Sequence, residues 1–227
     1  MMRRISLLFL IAATALMTGC ASAPYMPLSD ETYKLDTSKP LYLMSVSIKN
    51  TYKERYQPQI LNVVLDKNDG VNKPETIIFR MDSTGTIYSE DSDTAKYLVR
   101  FPADTVPHIV RGLNARASAF PFHGFYFLPL LADLRPSENG IYYLGSVEAV
   151  IRERKEGEFR AGHVIPLVDQ AVAGASTGTF DVEIKDAYEE DIDMFRATFP
   201  ALTNVEIKRT VLPKWSRDKA RLLWETK

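Results

Sequence analysis

The strongest constraint on the fold is a series of short apolar runs that alternate with polar residues and are separated by turn-forming residues. The clearest run extends from Ile141 to Ile151, where Val147, Ala149 and Ile151 fall on one side and Glu148 on the other. This two-residue period is typical of a β-strand that has one face in a core. Similar runs predict further strands at Leu41–Ile48, Ile60–Leu65, Thr76–Phe79, Tyr97–Phe101, Thr179–Ile184 and Val205–Leu212.

Two of these runs make specific predictions. In the first run, Met44, Val46 and Ile48 alternate with serines, so we expect a strand that is buried on one face only. The longest run is followed by charged residues and by Gly157, which can supply a turn. We therefore expect the chain from Glu158 to Ile165 to return as its hairpin partner.

An aromatic segment lies between Asp104 and Leu131. Its aromatic side chains would point to both faces of one strand, which favours a central strand that is covered on two sides. The alternative is a platform on which a ligand stacks. The aromatic residues are Phe120, Phe122, Phe125, Tyr126 and Phe127.

Helical signals are fewer and lie towards the C-terminus. Tyr188, Ile192, Phe195 and Phe199 recur at intervals of four, three and four residues, which predicts an amphipathic helix near 187–199. Two further helices are predicted at Pro166–Ala173 and Ser216–Glu225.

Many short strands and few helices are typical of a mainly β protein. We expect residues 40–227 to form one antiparallel β-sandwich, to which the helix near 187–199 and a C-terminal helix are added. The chain of 227 residues is long enough to bury a substantial core.

The first twenty residues have the pattern of an export signal. Arg3 and Arg4 precede an apolar run from Ile5 to Met17, and Thr18-Gly19-Cys20 follow it. The run is too short to span a bilayer, which takes about 20 apolar residues. Its end resembles the lipobox of bacterial lipoproteins, although Met17 stands where that family usually has leucine.

This resemblance implies that residues 1–19 are a signal peptide and that Cys20 is the lipidation site. In that family the cysteine sulfur receives a diacylglyceryl group and the new amine is acylated, for example with palmitate. Cys20 is the only cysteine in the chain, so it has no partner for an internal disulfide. The alternative is an ordinary secretory signal followed by an incidental free thiol, which would be a liability in an exported protein.

The residues after Cys20 predict a tether. The segment 20–39 contains Pro24 and Pro27 and has no sustained hydrophobic period, so we expect it to link the lipid to the folded body. Ala21 stands where an aspartate would resemble the retention signal of inner-membrane lipoproteins. The resemblance therefore implies the periplasmic face of a bacterial outer membrane.

A second resemblance concerns the body. The stretch Gly140-Ile141-Tyr142-Tyr143-Leu144-Gly145, which follows the aromatic run from Phe120 to Leu130, is similar to bacterial lipoproteins of unknown function with an immunoglobulin-like or transthyretin-like sandwich. This resemblance implies a fold and assigns no active site.

Charge argues against a nucleic-acid partner. Removal of Arg3 and Arg4 lowers the 28 basic residues to 26, against 29 acidic residues. A chain so nearly balanced lacks the basic surface that binds phosphate backbones.

Catalytic signals are weak. The three histidines, His108, His123 and His163, are not paired at the spacing of metal ligands. His163, Asp169 and Ser176 are close in sequence and could form a hydrolase triad. However, Ser176 lies in Gly-Ala-Ser-Thr-Gly, which lacks the nucleophile elbow, and a simple turn accounts for this loop.

Two acidic groups could bind a cation, but each has a simpler interpretation. Asp66, Asn68 and Asp69 lack the full spacing of an EF-hand and predict a polar turn. Glu189, Glu190, Asp191 and Asp193 predict solvated acidic residues at a helix start, or a surface for a basic partner.

These observations favour a non-enzymatic envelope lipoprotein that has no metal, cofactor or catalytic residue. We expect Cys20 to attach it to the membrane and the body to bind another envelope protein or a ligand of unknown kind. Two alternatives remain open: an envelope hydrolase that uses the set around 163–176, and a structural subunit whose sheet edges contact its partners.

Overall fold

A computed structural model of the chain describes residues 23–28, 35–36, 38–67, 74–88, 94–135, 138–165 and 170–225. In these residues the protein is mainly β, which confirms the predicted class. The elements in chain order are β1 (Leu41–Asn50), β2 (Gln59–Lys67), β3 (Glu75–Arg80), β4 (Thr86–Tyr88), β5 (Ala95–Pro102), β6 (His108–Ala119), β7 (Phe122–Leu134), β8 (Ile141–Glu153), β9 (Gly178–Lys185), α1 (Tyr188–Thr198), a short 3-10 turn (Pro200–Leu202), β10 (Ile207–Arg209) and α2 (Arg217–Glu225).

Two sheets pack face to face around a common core. One sheet has four antiparallel strands in the order β3-β2-β6-β7. The other has six strands in the order β10-β8-β1-β5-β4, and β9 also pairs with β8. Met44 and Val46 of β1 meet Leu113 of β6 in this core, which is buried because the inward side chains of both sheets are apolar.

The six-stranded sheet is mixed. Strands β1 and β8 run in parallel, with Val46 opposite Val147, and β10 is also parallel to β8. An entirely antiparallel sandwich is therefore the wrong prediction for this sheet. Hydrophobic alternation shows which side chains point inward, but it does not show in which direction neighbouring strands run.

Helix α1 covers the outer face of the six-stranded sheet. Ile192, Phe195 and Phe199 pack against Leu43 of β1, as the predicted apolar stripe requires. The expectation that β1 is buried on one face only is wrong, because Ser45 on its other face is also fully buried beneath α1. The C-terminal helix is confirmed as α2.

The hairpin partner of β8 is β9 and not the predicted segment Glu158–Ile165, which contains no strand. Instead, the Ala161 carbonyl accepts a hydrogen bond from the Phe127 N–H of β7 at 2.9 Å. The Ala161 N–H donates to the Gly178 carbonyl at the start of β9 at 2.8 Å. This segment therefore connects the edges of the two sheets and closes one side of the core.

Three further segments differ from the predictions. Strand β6 has a weak sequence signal because its inward residues include Ala115 and Ala117, and alanine has low β-propensity. Only residues 207–209 of the predicted strand Val205–Leu212 form a strand. In Pro166–Ala173, residues 166–169 lie outside the described part, and the rest contains a turn in which Gly174 N–H donates to Ala171.

Candidate functional site

The predicted lipidation residue, Cys20, lies outside the described residues, as does the whole segment 1–19. The first described segment begins at Ala23, three residues later. No helix in the described parts of the chain has the length and apolarity needed to cross a membrane.

Residues 24–28, which we call the N-terminal strap, contact the body, although the sequence predicts a tether over this segment. The Met26 N–H donates to the Arg80 carbonyl of β3 at 2.9 Å, and the Arg80 N–H donates to the Pro24 carbonyl at 2.8 Å. The Arg80 guanidinium also donates to the Tyr25 hydroxyl at 2.7 Å. The strap therefore pairs with the free edge of the four-stranded sheet.

Two apolar side chains fix the strap from opposite sides of the six-stranded sheet. Met26 is buried in the core between the sheets. Leu28 is buried among the residues that α1 covers, including Leu43 and Phe199. Burial of two such side chains stabilises the docked strap by roughly 3–6 kcal/mol before the entropy of ordering it is subtracted.

Arg100 of β5 lies beneath the strap and is completely buried. Its guanidinium donates to the Pro27 carbonyl of the strap and forms an ion pair with Asp82. A third hydrogen bond goes to the Leu98 carbonyl at 3.2 Å, and the group stacks 4.2 Å from the centre of the Phe199 ring. Burial lowers the pKa of Arg100, and Asp82 opposes this effect. This arginine joins the strap to the sheet and to the end of α1.

Of the proposed hydrolase triad, the structure describes His163 and Ser176 but not Asp169. The His163 ring packs against Trp224 of α2, with 4.4 Å between ring centres. Ser176 is half-buried, and the Ala175 carbonyl just before it accepts a hydrogen bond from the Gly162 N–H, just before His163, at 2.7 Å. A hydrolase based on these three residues stays a prediction.

The loop that contains Ser176 is hydrogen-bonded to core residues just before Ser176. The Ala173 carbonyl accepts hydrogen bonds from the Tyr126 hydroxyl at 2.6 Å and from the Asn50 side-chain amide at 3.1 Å. Buried Gln170 links the loop to the Phe125 N–H at 2.8 Å. These bonds satisfy buried polar groups, which favours a structural role for the loop.

One member of the acidic group on α1 is buried, contrary to the expectation that it is solvated. The Asp191 carboxylate accepts hydrogen bonds from the Ser45 hydroxyl at 2.6 Å and the Tyr143 hydroxyl at 2.5 Å. Lys96 of β5 lies 2.9 Å from its other oxygen. Burial lowers the pKa of Lys96, but Asp191 and Glu190 raise it by more, so the net pKa is raised. This cluster attaches α1 to the sheet.

The remaining residues that could bind a cation either contact protein side chains or lie outside the described residues. Asp66 accepts a hydrogen bond from Thr76 at 2.8 Å and lies 3.6 Å from Arg111, whereas Asn68 and Asp69 are not described. Within the described ranges, no group of three acidic, histidine or cysteine side chains could hold a metal ion.

The aromatic segment is exposed at one end, and this corrects the prediction of a covered central strand. Strand β7 is an edge strand of the four-stranded sheet. Phe120, Phe122 and Phe125, which we call the aromatic tip, lie at and beside the turn between β6 and β7. Phe120 is 89% exposed, and the other two are 38% and 41% exposed. Tyr126 and Phe127 further along β7 are buried.

Two arginines flank the aromatic tip. The Arg55 guanidinium donates to the Phe120 carbonyl at 3.4 Å. Arg116 lies opposite Phe125 in the ladder between β6 and β7 and is exposed. Exposed apolar side chains grouped beside cations at one turn are a candidate interaction surface. The sequence signal for this surface is the Phe-Pro-Phe turn, whose aromatic residues the hydrophobic pattern assigns to a covered strand.

Two cavities complete the candidate sites. A groove of about 340 Å³ lies between α2 and the turn at Gly157, and its walls include Phe159, Arg160 and Trp224. A second cavity of about 200 Å³ is lined by Tyr42, whose buried hydroxyl has no hydrogen-bond partner among the described residues. Only the groove reaches the size of about 300 Å³ at which ligand pockets begin.

Glu158 lines the groove and belongs to a network of ion pairs. Arg152 donates two hydrogen bonds to the Glu158 carboxylate, at 2.6 and 2.8 Å, and a third to Asp181 at 2.8 Å. The hydrogen bonds from Arg152 lower the pKa of Glu158 to about 2. A paired carboxylate of this kind makes folding depend on pH.

Glu158→Gln is expected to reduce stability at pH 7 by more than at pH 3. The folded-state pKa of Glu158, about 2, lies below the ordinary value of 4.5. The stabilisation of the folded state by ionised Glu158 is therefore fully present above about pH 4.5 and is lost as the pH falls through 2. Urea unfolding of the wild type and the variant at both pH values measures this, with exposed Glu156→Gln as the control. An equal difference at both pH values would contradict the assignment.

No family model, curated protein or solved structure matches the chain.

Proposed function

We propose that this protein is a bacterial lipoprotein, held by lipid on Cys20 at the periplasmic face of the outer membrane, whose body is a non-enzymatic binding or assembly module. The observation that carries the proposal is the position of the only cysteine, which directly follows an arginine pair, an apolar run and Thr18-Gly19. No other residue of the first twenty has a thiol that could accept a thioether-linked lipid.

The N-terminal strap supports this proposal. In an extended chain each residue spans at most about 3.6 Å, so the four residues from Cys20 to Pro24 reach at most about 14 Å. The body is then mounted close to the lipid rather than at the end of a long linker. A connection of this length suits a protein that works at the membrane surface.

We also propose that the two sheets form a sandwich of the immunoglobulin-like or transthyretin-like kind. The shared core of the two sheets supports this assignment. The parallel pairing of β1 with β8 is the feature that departs from the simplest form of such a sandwich.

A binding role is supported by the free aromatic tip. Two other edges are less suitable for a partner, because the strap covers part of the β3 edge and Ala161 bonds to the β7 edge. Contact through the exposed tip requires no rearrangement of either sheet.

Cys20→Ser is expected to abolish lipid attachment, because a hydroxyl does not replace the sulfur that accepts the diacylglyceryl group. The variant should lose radiolabelled palmitate and should leave the membrane fraction or accumulate as an unprocessed precursor. Intact mass and membrane fractionation of the expressed protein measure both effects.

Met17→Leu is the matched control, because it brings the leader closer to the lipobox and should retain lipid. If Cys20→Ser keeps the mass and membrane retention of the wild type, the lipoprotein proposal is wrong.

A further inference from the structure

We propose that the groove between α2 and the turn at Gly157 binds the C-terminus of a partner protein whose last side chain is large and apolar. In this complex Arg160 pairs with the terminal carboxylate, and the last side chain occupies the lobe lined by Val164 and Trp224. The inference names a site and a partner chemistry for the proposed binding module, and it rests on that proposal. It does not require the lipid on Cys20.

The groove is long enough for several residues of an extended peptide. Its first lobe, of about 340 Å³, adjoins a second lobe of about 300 Å³, and Glu158, Phe159 and Arg221 line both. The lobes lie along α2, whose nine residues span about 13 Å. An extended chain covers this length with about four residues.

The first lobe is apolar and is held in place by ring contacts. Phe159 is 4% exposed and packs against Trp215, with 6.1 Å between the ring centres. The ring of Trp224 lies 4.4 Å from that of His163. Val164 also lines this lobe and is 57% exposed. An apolar wall that is already ordered can receive a side chain with little further loss of entropy.

The charges of the first lobe favour an anion. Its two carboxylates already have arginine partners: Glu158 pairs with Arg152 at 2.6 Å, and Glu225 lies 3.6 Å from Arg221. Arg160 is exposed and forms no ion pair within the described residues. A guanidinium can bind a carboxylate through two parallel hydrogen bonds. Arg160 is therefore the cation that is available to a ligand.

The second lobe favours a polypeptide over a small free acid. Besides the residues that both lobes share, it is lined by Glu156, Arg217 and Asp218, which present charges of both signs. A peptide backbone both donates and accepts hydrogen bonds, so it suits such a lining. A small carboxylate would fill the first lobe and make no use of the second.

The N-terminal strap directs the proposed lipid anchor away from the groove. Tyr25 pairs with Arg80 in parallel, so the chain before the strap leads towards the start of β3 at Glu75. Glu75 is level with Lys67 at the end of β2, and Lys67 forms an ion pair with Asp104, which follows β5. We call this end of the two sheets the anchor end.

The groove lies at the opposite end of the sheets. The end of β5 is beside the starts of β1 and β8, since Pro102 pairs with Leu41 and Leu41 pairs with Ile141. Strand β8 therefore begins at the anchor end, and its 13 residues carry the chain about 40 Å to Glu153. The turn at Gly157 follows. A partner can thus reach the groove while lipid holds the body at the membrane.

The test measures binding of a short peptide to the lipidated full chain in nanodiscs. The probe consists of serine and alanine residues followed by a C-terminal phenylalanine, and it carries fluorescein at its N-terminus. Its fluorescence anisotropy reports binding, with empty nanodiscs as the baseline. The same peptide with a C-terminal amide should bind about tenfold more weakly, because it offers no charge to Arg160. Equal binding of the acid and the amide would overturn the proposal.

Arg160→Gln is expected to weaken binding of the acid about tenfold and to leave binding of the amide unchanged. The matched control is Lys155→Gln, which removes the same charge from an exposed side chain on the same turn, outside the groove lining. Val164→Ser should weaken binding of both peptides, because it removes apolar contact with the last side chain. If the Arg160 and Lys155 variants bind the acid equally well, the proposal is wrong.

A competition experiment distinguishes a protein C-terminus from a small free acid. The competitor is hydrocinnamate, which has the phenyl ring and the carboxylate of the last residue of the peptide. Unlabelled peptide should compete several-fold more strongly, because it also occupies the second lobe. Equal competition would identify a small carboxylate as the ligand and overturn the assignment of a protein partner. Absence of peptide binding, in protein whose mass shows lipid, would overturn this inference and leave the lipoprotein proposal standing.

Discussion

Asp82→Ala is expected to lower the free energy of unfolding by about 3–5 kcal/mol. The carboxylate of Asp82 is the only acidic partner of Arg100 among the described residues. Its removal leaves a fully buried guanidinium without a compensating charge, and burial of an unpaired charge is among the most costly changes a core can undergo. Urea or thermal unfolding measures the loss.

The controls for Asp82 separate charge from other effects. Asp82 also accepts a hydrogen bond from the Gly85 N–H at 2.9 Å, which Asp82→Asn can retain while it removes the charge. Asp218→Ala breaks the ion pair between Asp218 and Arg221. Because the Asp218 side chain is 83% exposed, this variant should lower the free energy of unfolding by less than about 1 kcal/mol. An Asp82→Ala loss no greater than that of Asp218→Ala would show that Arg100 does not depend on Asp82.

Asp191→Asn is expected to cost about 2–3 kcal/mol. The buried carboxylate accepts hydrogen bonds from Ser45 and Tyr143 and pairs with Lys96. An amide in its place removes the charge that Lys96 requires and turns one acceptor into a donor. The cost is smaller than for Asp82 because the Lys96 side chain is 26% exposed and keeps some water.

Glu190→Gln is the matched control for Asp191. Glu190 is the neighbouring residue on α1 and also contacts Lys96, at 3.2 Å, but its side chain is 74% exposed. Its loss should be within about 0.5 kcal/mol of zero. If the two variants unfold at the same denaturant concentration, the buried cluster does not attach α1 to the sheet.

The local pattern of the sequence predicts the elements whose side chains have a clear period. The stripe through Tyr188, Ile192 and Phe195 predicts α1, and alternation predicts β1 and β8. The direction of pairing is not predictable in this way, since the contact of β1 with β8 joins residues about 100 positions apart. Such long-range pairings depend on the whole set of strands rather than on local propensity.

The candidate site is only partly predictable from the sequence. Asp191 lies three residues after Tyr188 and four before Phe195, so the helical period places it on the apolar stripe. A carboxylate is rarely buried, however, so the sequence alone favours a solvent-exposed Asp191. The sequence does not indicate that Arg100 is buried, because its partners Asp82 and Pro27 are brought together only by the fold. The aromatic tip is visible as a group of phenylalanines, but their exposure depends on the position of β7 at the sheet edge.

The N-terminal strap also determines how mechanical load enters the molecule. Tension at residue 24 is transmitted to Met26 in the core and, through the Pro27 carbonyl, to Arg100 in β5. The force is therefore shared between Arg80 on the edge strand β3, which bonds to Pro24 and Met26, and Arg100 on the interior strand β5. A body held through both sheets in this way resists being pulled from its N-terminal end.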